Sequence, residues 1–194
     1  MKYDIIVAGV GGQGVLSISA VIAASALNAG LRVKQSEEHG MAQRGGAVVS
    51  HLRLADSTIH SDLVPLGAAD LIISMEPLES LRYLEFLARE GKVLSAADPV
   101  ANFPGYPDVQ KTIRALRNLP NAVVVEAAKL SRQAGSGRAT NMVMVGAATP
   151  SLPIEASFIE EHIREAFERK GSRVLEINLE AYRLGMEAVS CAAA

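Results

Sequence analysis

Residues 3–37, YDIIVAGVGGQGVLSISAVIAASALNAGLRVKQSE, decide how the rest of the chain is read. The run Tyr3 to Val10 is short, apolar and β-branched, and it stops at glycines, as a strand buried on both faces does. From Gly12 to Gly30 the chain is apolar on almost every side and closes on a glycine suited to a helix C-terminus. Ser17, Ala20, Ala23 and Ala24 are small enough for that helix to lie close to a sheet, and Ser17 and Ser19 are expected to pack against it. Residues 31–37 give a second strand. Strand, glycine turn, helix and strand make a βαβ unit.

The downstream pattern extends this unit. Residues 47–61 read as a hairpin turning at Ala55, Asp56 and Ser57, with Val49, His51 and Arg53 on one face; a hairpin inserted in a βαβ series implies a mixed sheet. Further strands are expected at 70–75, 92–97 and 121–127. Pro77 opens a helix whose stripe of Leu78, Leu81, Leu84 and Leu87 runs to Gly91. Residues 98–108, with three prolines and a glycine, form a surface loop before a helix at 108–119. Helices at 126–134, 140–148, 154–170 and 174–190 follow. The expected fold is therefore α/β: a three-layer, Rossmann-like domain covering 1–194, with a mixed, mostly parallel sheet, an inserted β-hairpin and a helical C-terminal third.

Bulk properties exclude several classes. A formal net charge of −2 with no long basic run carries no nucleic-acid footprint. The most apolar stretch, 15–29, is too short to span a bilayer, and the first residues lack a signal-peptide pattern. The one cysteine, Cys191, can form neither an internal disulfide nor a cluster site, and it fits a reducing cytoplasm. No histidine pair or carboxylate pair has metal-ligand spacing. His39, His51, His60 and His162 read as hydrogen-bonded structural histidines, although His51 and Arg53 could project towards the glycine-rich rim.

Two glycine-rich segments carry the candidate chemistry. Gly9, Gly11, Gly12, Gln13 and Gly14 satisfy G-x-G-x-x-G between the first strand and the first helix. Glycine there lets an anion approach the backbone, with helix N–H groups facing it. The acid that usually binds a dinucleotide ribose is poorly placed, since Glu37 and Glu38 follow Arg32 and Lys34 at loose spacing. A nucleotide site and plain strand–helix packing therefore both stand as readings of this turn. The second segment runs from His39 to Gly46. In an open α/β sheet it should reach the same edge as the first, where Gln43, Arg44, Gly45 and Gly46 would offer a fork of donors and an accessible backbone to phosphate or carboxylate. A charge-assisted hydrogen bond is worth roughly 1.5–3 kcal/mol, so a few could hold an anion or a partner loop. Met41 reads as a core plug or as a contact with an apolar partner. Asn141, near the start of a small-residue helix, reads as a capping residue or a ligand contact.

The segments GVGGQGV (9–15), SEEHGMAQRGGAVVSHLR (36–53) and TNMVMVGA (140–147), in this order, resemble the γ subunit or γ domain of 2-oxoacid:ferredoxin oxidoreductases, and in particular the small subunit of indolepyruvate oxidoreductase. The resemblance runs from about residue 3 to 189. The middle segment carries His-Gly-Met-Ala-Gln before Arg-Gly-Gly, which leans towards an aromatic 2-oxoacid. The resemblance implies oxidative decarboxylation of a 2-oxoacid to acyl-CoA with reduction of ferredoxin. It also implies that thiamine diphosphate, Mg2+ and [4Fe-4S] clusters reside in a larger partner subunit, because this chain has no Gly-Asp-Gly and a single cysteine. The chain would bind none of these alone and would be inactive alone. It would complete the active site and contact coenzyme A through its glycine segments. A self-sufficient NAD(P) or flavin module and a purely structural bridging subunit are the alternatives. Isolated, the chain could form a homodimer through the apolar surface meant for its partner.

Overall fold

The computed structural model describes residues 1–40, 45–101 and 103–190. Six strands, β1 (Lys2–Val10), β2 (Arg32–His39), β3 (Ala47–Ala55), β4 (Ala69–Ser74), β5 (Leu87–Ala96) and β6 (Ala122–Val125), form one sheet in the order β2-β3-β1-β4-β5-β6. β4 runs parallel to β1, β5 to β4 and β6 to β5, whereas β3 is antiparallel to both β1 and β2. β3 is thus the one strand of reversed sense, and β1 and β2 point the same way with β3 wedged between them.

Alternation along the strands divides the core between the two faces. Ile5, Val7, Leu52, Leu71, Ile73 and Leu94 share one apolar cluster with α1 (Val15–Asn28), α5 (Thr140–Ala148), α6 (Ala156–Glu168) and α7 (Ser172–Ser190). Ile6, Ala8, Ile72 and Val93 share the other with α2 (Pro77–Arg82) and α3 (Val109–Arg117). The remaining helix, α4 (Ala127–Gln133), follows β6. The result is a three-layer α/β molecule with a mixed, mostly parallel sheet and a helical end. α5 is apolar all round, and residues 142–148 are accordingly all buried. Among the described residues, no helix is long and apolar enough to cross a membrane.

Two local expectations change. The hairpin is made by β2 and β3, paired from Arg32↔Ala55 to His39↔Val48. It does not lie within 47–61, because β3 continues straight to Ala55 between two partners and residues 58–61 pair with no strand. The helix opened by Pro77 ends at Arg82 instead of reaching Gly91. Leu84 and Leu87 are apolar for another reason: Leu84 sits in a 3-10 turn that packs on the sheet, and Leu87 starts β5. Gly91 lies inside β5 where the pairing with β4 shifts register. A Cβ there would stand 2.7 Å from the Ala69 carbonyl oxygen, so the strand can pass only with glycine.

Candidate functional site

β1 delivers the first glycine turn to the C-terminal edge of the sheet. Gly12 and Gly14 have φ of +98° and +84°, the left-handed region that side chains rarely adopt. Gly14 is the N-cap of α1; no side chain caps this helix, and its first turn holds no acid. The Ser17 and Ile18 N–H groups bond the Gly14 carbonyl at 3.0 and 3.2 Å, which leaves those of Val15 and Leu16 without an intrahelical acceptor at the positive end of the α1 dipole. Gly12 is exposed, and an added Cβ would meet nothing among the described residues within 4 Å. Gly9 serves packing, since a Cβ there would be 2.8 Å from Val15 Cγ2 and 3.0 Å from Met75 Cβ. Gln13 works as an internal strut. Its Oε1 accepts the Val10 N–H at 2.8 Å and its Nε2 donates to the Met75 carbonyl at 3.0 Å, tying the turn to the end of β4.

The second glycine segment reaches the same place. The Gly11 N–H donates to the Gly46 carbonyl at 2.8 Å, so the two turns are joined by a backbone hydrogen bond. The physical reason is topological: β1 and β2 point the same way, and β3 returns beside β1 from the second loop, with Val10 opposite Ala47. Gly45 also takes a positive φ, +78°. Met41, Gln43 and Arg44 lie outside the described residues.

Asn141 joins this group from a distant part of the sequence. Its Nδ2 lies 3.2 Å from where a Cβ on Gly14 would stand, so Gly14 lets α5 close against the turn. Asn141 does not cap α5; Ala139 occupies the cap, and the Asn141 Oδ1 accepts the N–H of Met142. Three clefts meet around the turn. One of about 370 Å3 is lined by Gly11, Gly12, Gly14, Leu16, His39 and Val48. A second of about 370 Å3 includes Gly12, Gln13, Asp98, Arg138 and Asn141. The third, about 390 Å3, includes Ser17, Arg138, Asn141, Lys170 and Asn178.

Sequence reasoning missed Asp98, Arg138 and Lys170. Asp98 closely follows β5 at this edge and accepts the Ala128 N–H at 2.9 Å, holding the start of α4. A strand end followed by Asp-Pro was the available signal. Arg138 and Lys170 come from the helical third, and nothing local marks them. Ser17 is exposed at a cleft and does not pack against the sheet, whereas Ser19 is buried and bonds the Val15 carbonyl.

Arg53 and His51 belong elsewhere. Arg53 sits opposite Asp4 at the far end of β1 and forms a two-pronged pair with its carboxylate at 2.9 and 3.2 Å. His51 is buried opposite Ile6, and its Nδ1 accepts the Val64 N–H at 3.1 Å. Burial, only partly offset by Glu38 and Asp62, lowers its pKa from 6.5. A neutral histidine kept in the folded state while the unfolded chain protonates makes stability complete above 6.5. That stability is lost as pH falls from 6.5 towards the lower folded pKa. Urea midpoints at pH 7.5 and 5.5 should show this loss for the wild type and a smaller one for His51→Gln.

Among the described residues, no three His, Cys, Asp or Glu side chains are grouped to hold a metal ion. With a single cysteine in the sequence, this chain cannot supply the four thiolates of an iron–sulfur cluster.

Comparison with known proteins places this geometry among relatives. The family model described as pyruvate ferredoxin/flavodoxin oxidoreductase matches residues 4–188. Indolepyruvate oxidoreductase subunit IorB of Archaeoglobus fulgidus is 39% identical over 194 residues, covering 95% of this chain and 94% of its own. Pyruvate oxidoreductase subunit PORC of Thermotoga maritima superposes with a TM-score of 0.74 at 24% identity, covering 96% of each chain. The 2-oxoglutarate:ferredoxin oxidoreductase of Magnetococcus marinus, solved with 2-oxoglutarate, coenzyme A and succinyl-CoA bound, gives a TM-score of 0.79 at 23% identity. That match covers 98% of this chain but only 31% of the Magnetococcus chain. Both structural matches bear on the fold.

Proposed function

Because this chain belongs to the pyruvate ferredoxin/flavodoxin oxidoreductase family, we propose that it is the accessory subunit of a 2-oxoacid:ferredoxin oxidoreductase acting on an aryl 2-oxoacid such as indolepyruvate. The near-full-length match to an IorB subunit is the observation that carries this reading. The reaction converts 2-oxoacid and coenzyme A to acyl-CoA and CO2, and the electrons pass to ferredoxin. Thiamine diphosphate, bound with Mg2+ in a larger partner subunit, would supply the carbanion chemistry. A single cysteine in the sequence cannot supply the thiolates of [4Fe-4S] clusters, so in this reading those too belong to the partner subunit. The whole chain, 1–194, would then act as one α/β domain in the cytoplasm, docked on that subunit.

This chain's own part is to complete the pocket and hold an anionic portion of coenzyme A. The open N–H groups at the start of α1, with Gly12 and Gly14 free of side chains, suit a phosphate. Gly45 and Gly46 belong to the joined second turn and Asn141 lies at the flank, and in this reading Gln43 and Arg44 add their donors to the same anion. A second use of the same residues is contact with the partner subunit, favoured by the exposed Leu16 beside the turn. In either use the glycines exclude bulk where something from outside must come close.

The test is reconstitution. Co-purified with its partner subunit, the chain should support ferredoxin or viologen reduction by an arylpyruvate and coenzyme A, and the chain alone should give none. Full activity in the isolated chain would overturn the assignment. Arg44→Ala should lower coenzyme A-dependent turnover by ~10-fold or more, the loss of one or two charge-assisted contacts, and Gly12→Ala should lower it as well by placing a methyl where the anion must approach and straining a backbone at φ +98°, with the complex still assembled. Loss of assembly instead would assign the turn to partner contact. Saturable binding of NAD(P) or a flavin to the pure chain would favour the nucleotide-module reading.

A further inference from the structure

β2 ends the sheet, and it is an unusual edge. It keeps unbroken register with β3 over all eight of its residues, without proline, glycine or bulge, whereas β6 at the opposite edge has only four residues. Long regular edges invite pairing with another chain unless something blocks them. Gly40 N–H donates to the Ala47 carbonyl, which fixes the alternation of the β2–β3 ladder. The N–H and C=O groups of Val33, Gln35, Glu37 and His39 consequently point away from β3, towards the open side.

The side chains of this edge carry a sign pattern. Arg32, Lys34, Ser36 and Glu38 share one face of the sheet, and Val33, Gln35, Glu37 and His39 share the other. Arg32, Lys34 and Glu38 are exposed, and none forms an ion pair among the described residues. Basic residues occupy the first half and acidic residues the second. Parallel pairing with another β2 would set like charge against like, which is the usual protection of an edge. Antiparallel pairing about a two-fold axis at Ser36 does the reverse. It places Lys34 opposite Glu38 of the second copy twice, Gln35 opposite Glu37 of the second copy, and Arg32 diagonal to Glu38 of the second copy.

We infer that two copies of this chain join through antiparallel pairing of their β2 strands, fusing two six-stranded sheets into one of twelve. The occupant of the edge is a second copy because the charge order of β2 is complementary to itself in that one orientation. An isologous contact of this kind closes at two copies and forms no fibre. The pairing involves none of Gly9, Gly11, Gly12, Gly14, Gly45 or Gly46; His39 and Gly40, which begin the second glycine segment, lie opposite Val33 and Arg32 of the second copy, so the dimer borders the cleft at the first turn.

Sedimentation of the 194-residue chain should show a concentration-dependent dimer that weakens with added salt. Glu38→Lys should weaken it by ~10-fold or more by turning two attractive pairs into repulsive ones, and Lys34→Glu combined with Glu38→Lys should restore it. Circular dichroism checks that each variant is folded. An independent measurement uses Ser36→Cys in a Cys191→Ser background. Residues opposite each other at a non-hydrogen-bonded position have Cα atoms about 4.5 Å apart, within disulfide range, so oxidation should give a covalent dimer both in the isolated chain and in the complex with the larger subunit. A monomer at all concentrations, a dimer indifferent to Glu38→Lys, or failure of the Ser36→Cys variant to cross-link would each overturn the inference. Shielding of the introduced thiol by the larger subunit would overturn it too, assigning the edge to that subunit instead.

Discussion

Gly185→Ala is expected to destabilise the protein by roughly 3 kcal/mol or more, the upper range for overpacking a core, a large share of the 5–15 kcal/mol that typically holds a domain. By propensity alone the change should help, since alanine in a helix interior is favoured over glycine by roughly 1 kcal/mol. Tertiary contact reverses the sign. A Cβ at Gly185 of α7 would stand 2.0 Å from the Val143 carbonyl oxygen of α5, and one at Gly146 would stand 1.9 Å from the Tyr182 carbonyl oxygen. The two helices cross backbone to backbone through this pair of glycines, and a backbone atom cannot swing aside as a side chain can. Thermal unfolding should fall by about 6–12 °C for a chain of this size. Gly137→Ala is the control: a Cβ there meets nothing among the described residues within 4 Å, and the midpoint should barely move. Equal midpoints for the two variants would refute the close crossing.

Asp4→Asn should be nearly as damaging, by about 3 kcal/mol, the lower end for breaking a buried ion pair. The Asp4 side chain is wholly buried, and its carboxylate receives Arg53, whose side chain is 12% exposed. Lys2, half exposed, adds little to the same carboxylate. The asparagine leaves Arg53 with no counter-charge in a site that water barely reaches. Arg53 also donates to the carbonyls of Ser61 and Leu63 at 3.1 Å, so the segment after β3 should loosen with it. Urea unfolding gives the energy, and faster proteolytic cleavage near 56–66 in Asp4→Asn reports the release. By contrast, Arg164→Ala, which removes an exposed i,i+4 pair with Glu160, should cost no more than about 0.5 kcal/mol.

How far the sequence reaches is visible in individual residues. The strand before Gly9 and the apolar helix after Gly14 are legible because burial on all sides leaves few polar residues in either. The four C-terminal helices, bounded by glycines and prolines, lie within a few residues of their expected limits. The leucine stripe after Pro77 misled because apolar spacing records burial, not the element that carries it. Arg53 misled because facing the right side of a sheet says nothing of which end the residue occupies; register with Asp4 settles that. The candidate site was half legible: Gly12 and Gly14 announce a turn that needs positive φ, but Asn141 and Arg138 reach the turn only through packing of α5.

The sequence alone determined the alternation of strand and helix, the glycine positions and the lack of cysteine ligands, since these depend on local backbone freedom and on residue chemistry. Only the tertiary structure decided that β3 lies between β1 and β2, that Gly11 bonds Gly46, and that Gly146 and Gly185 face each other. Those depend on which distant segments share one sheet edge or one helix crossing, and no local propensity encodes that.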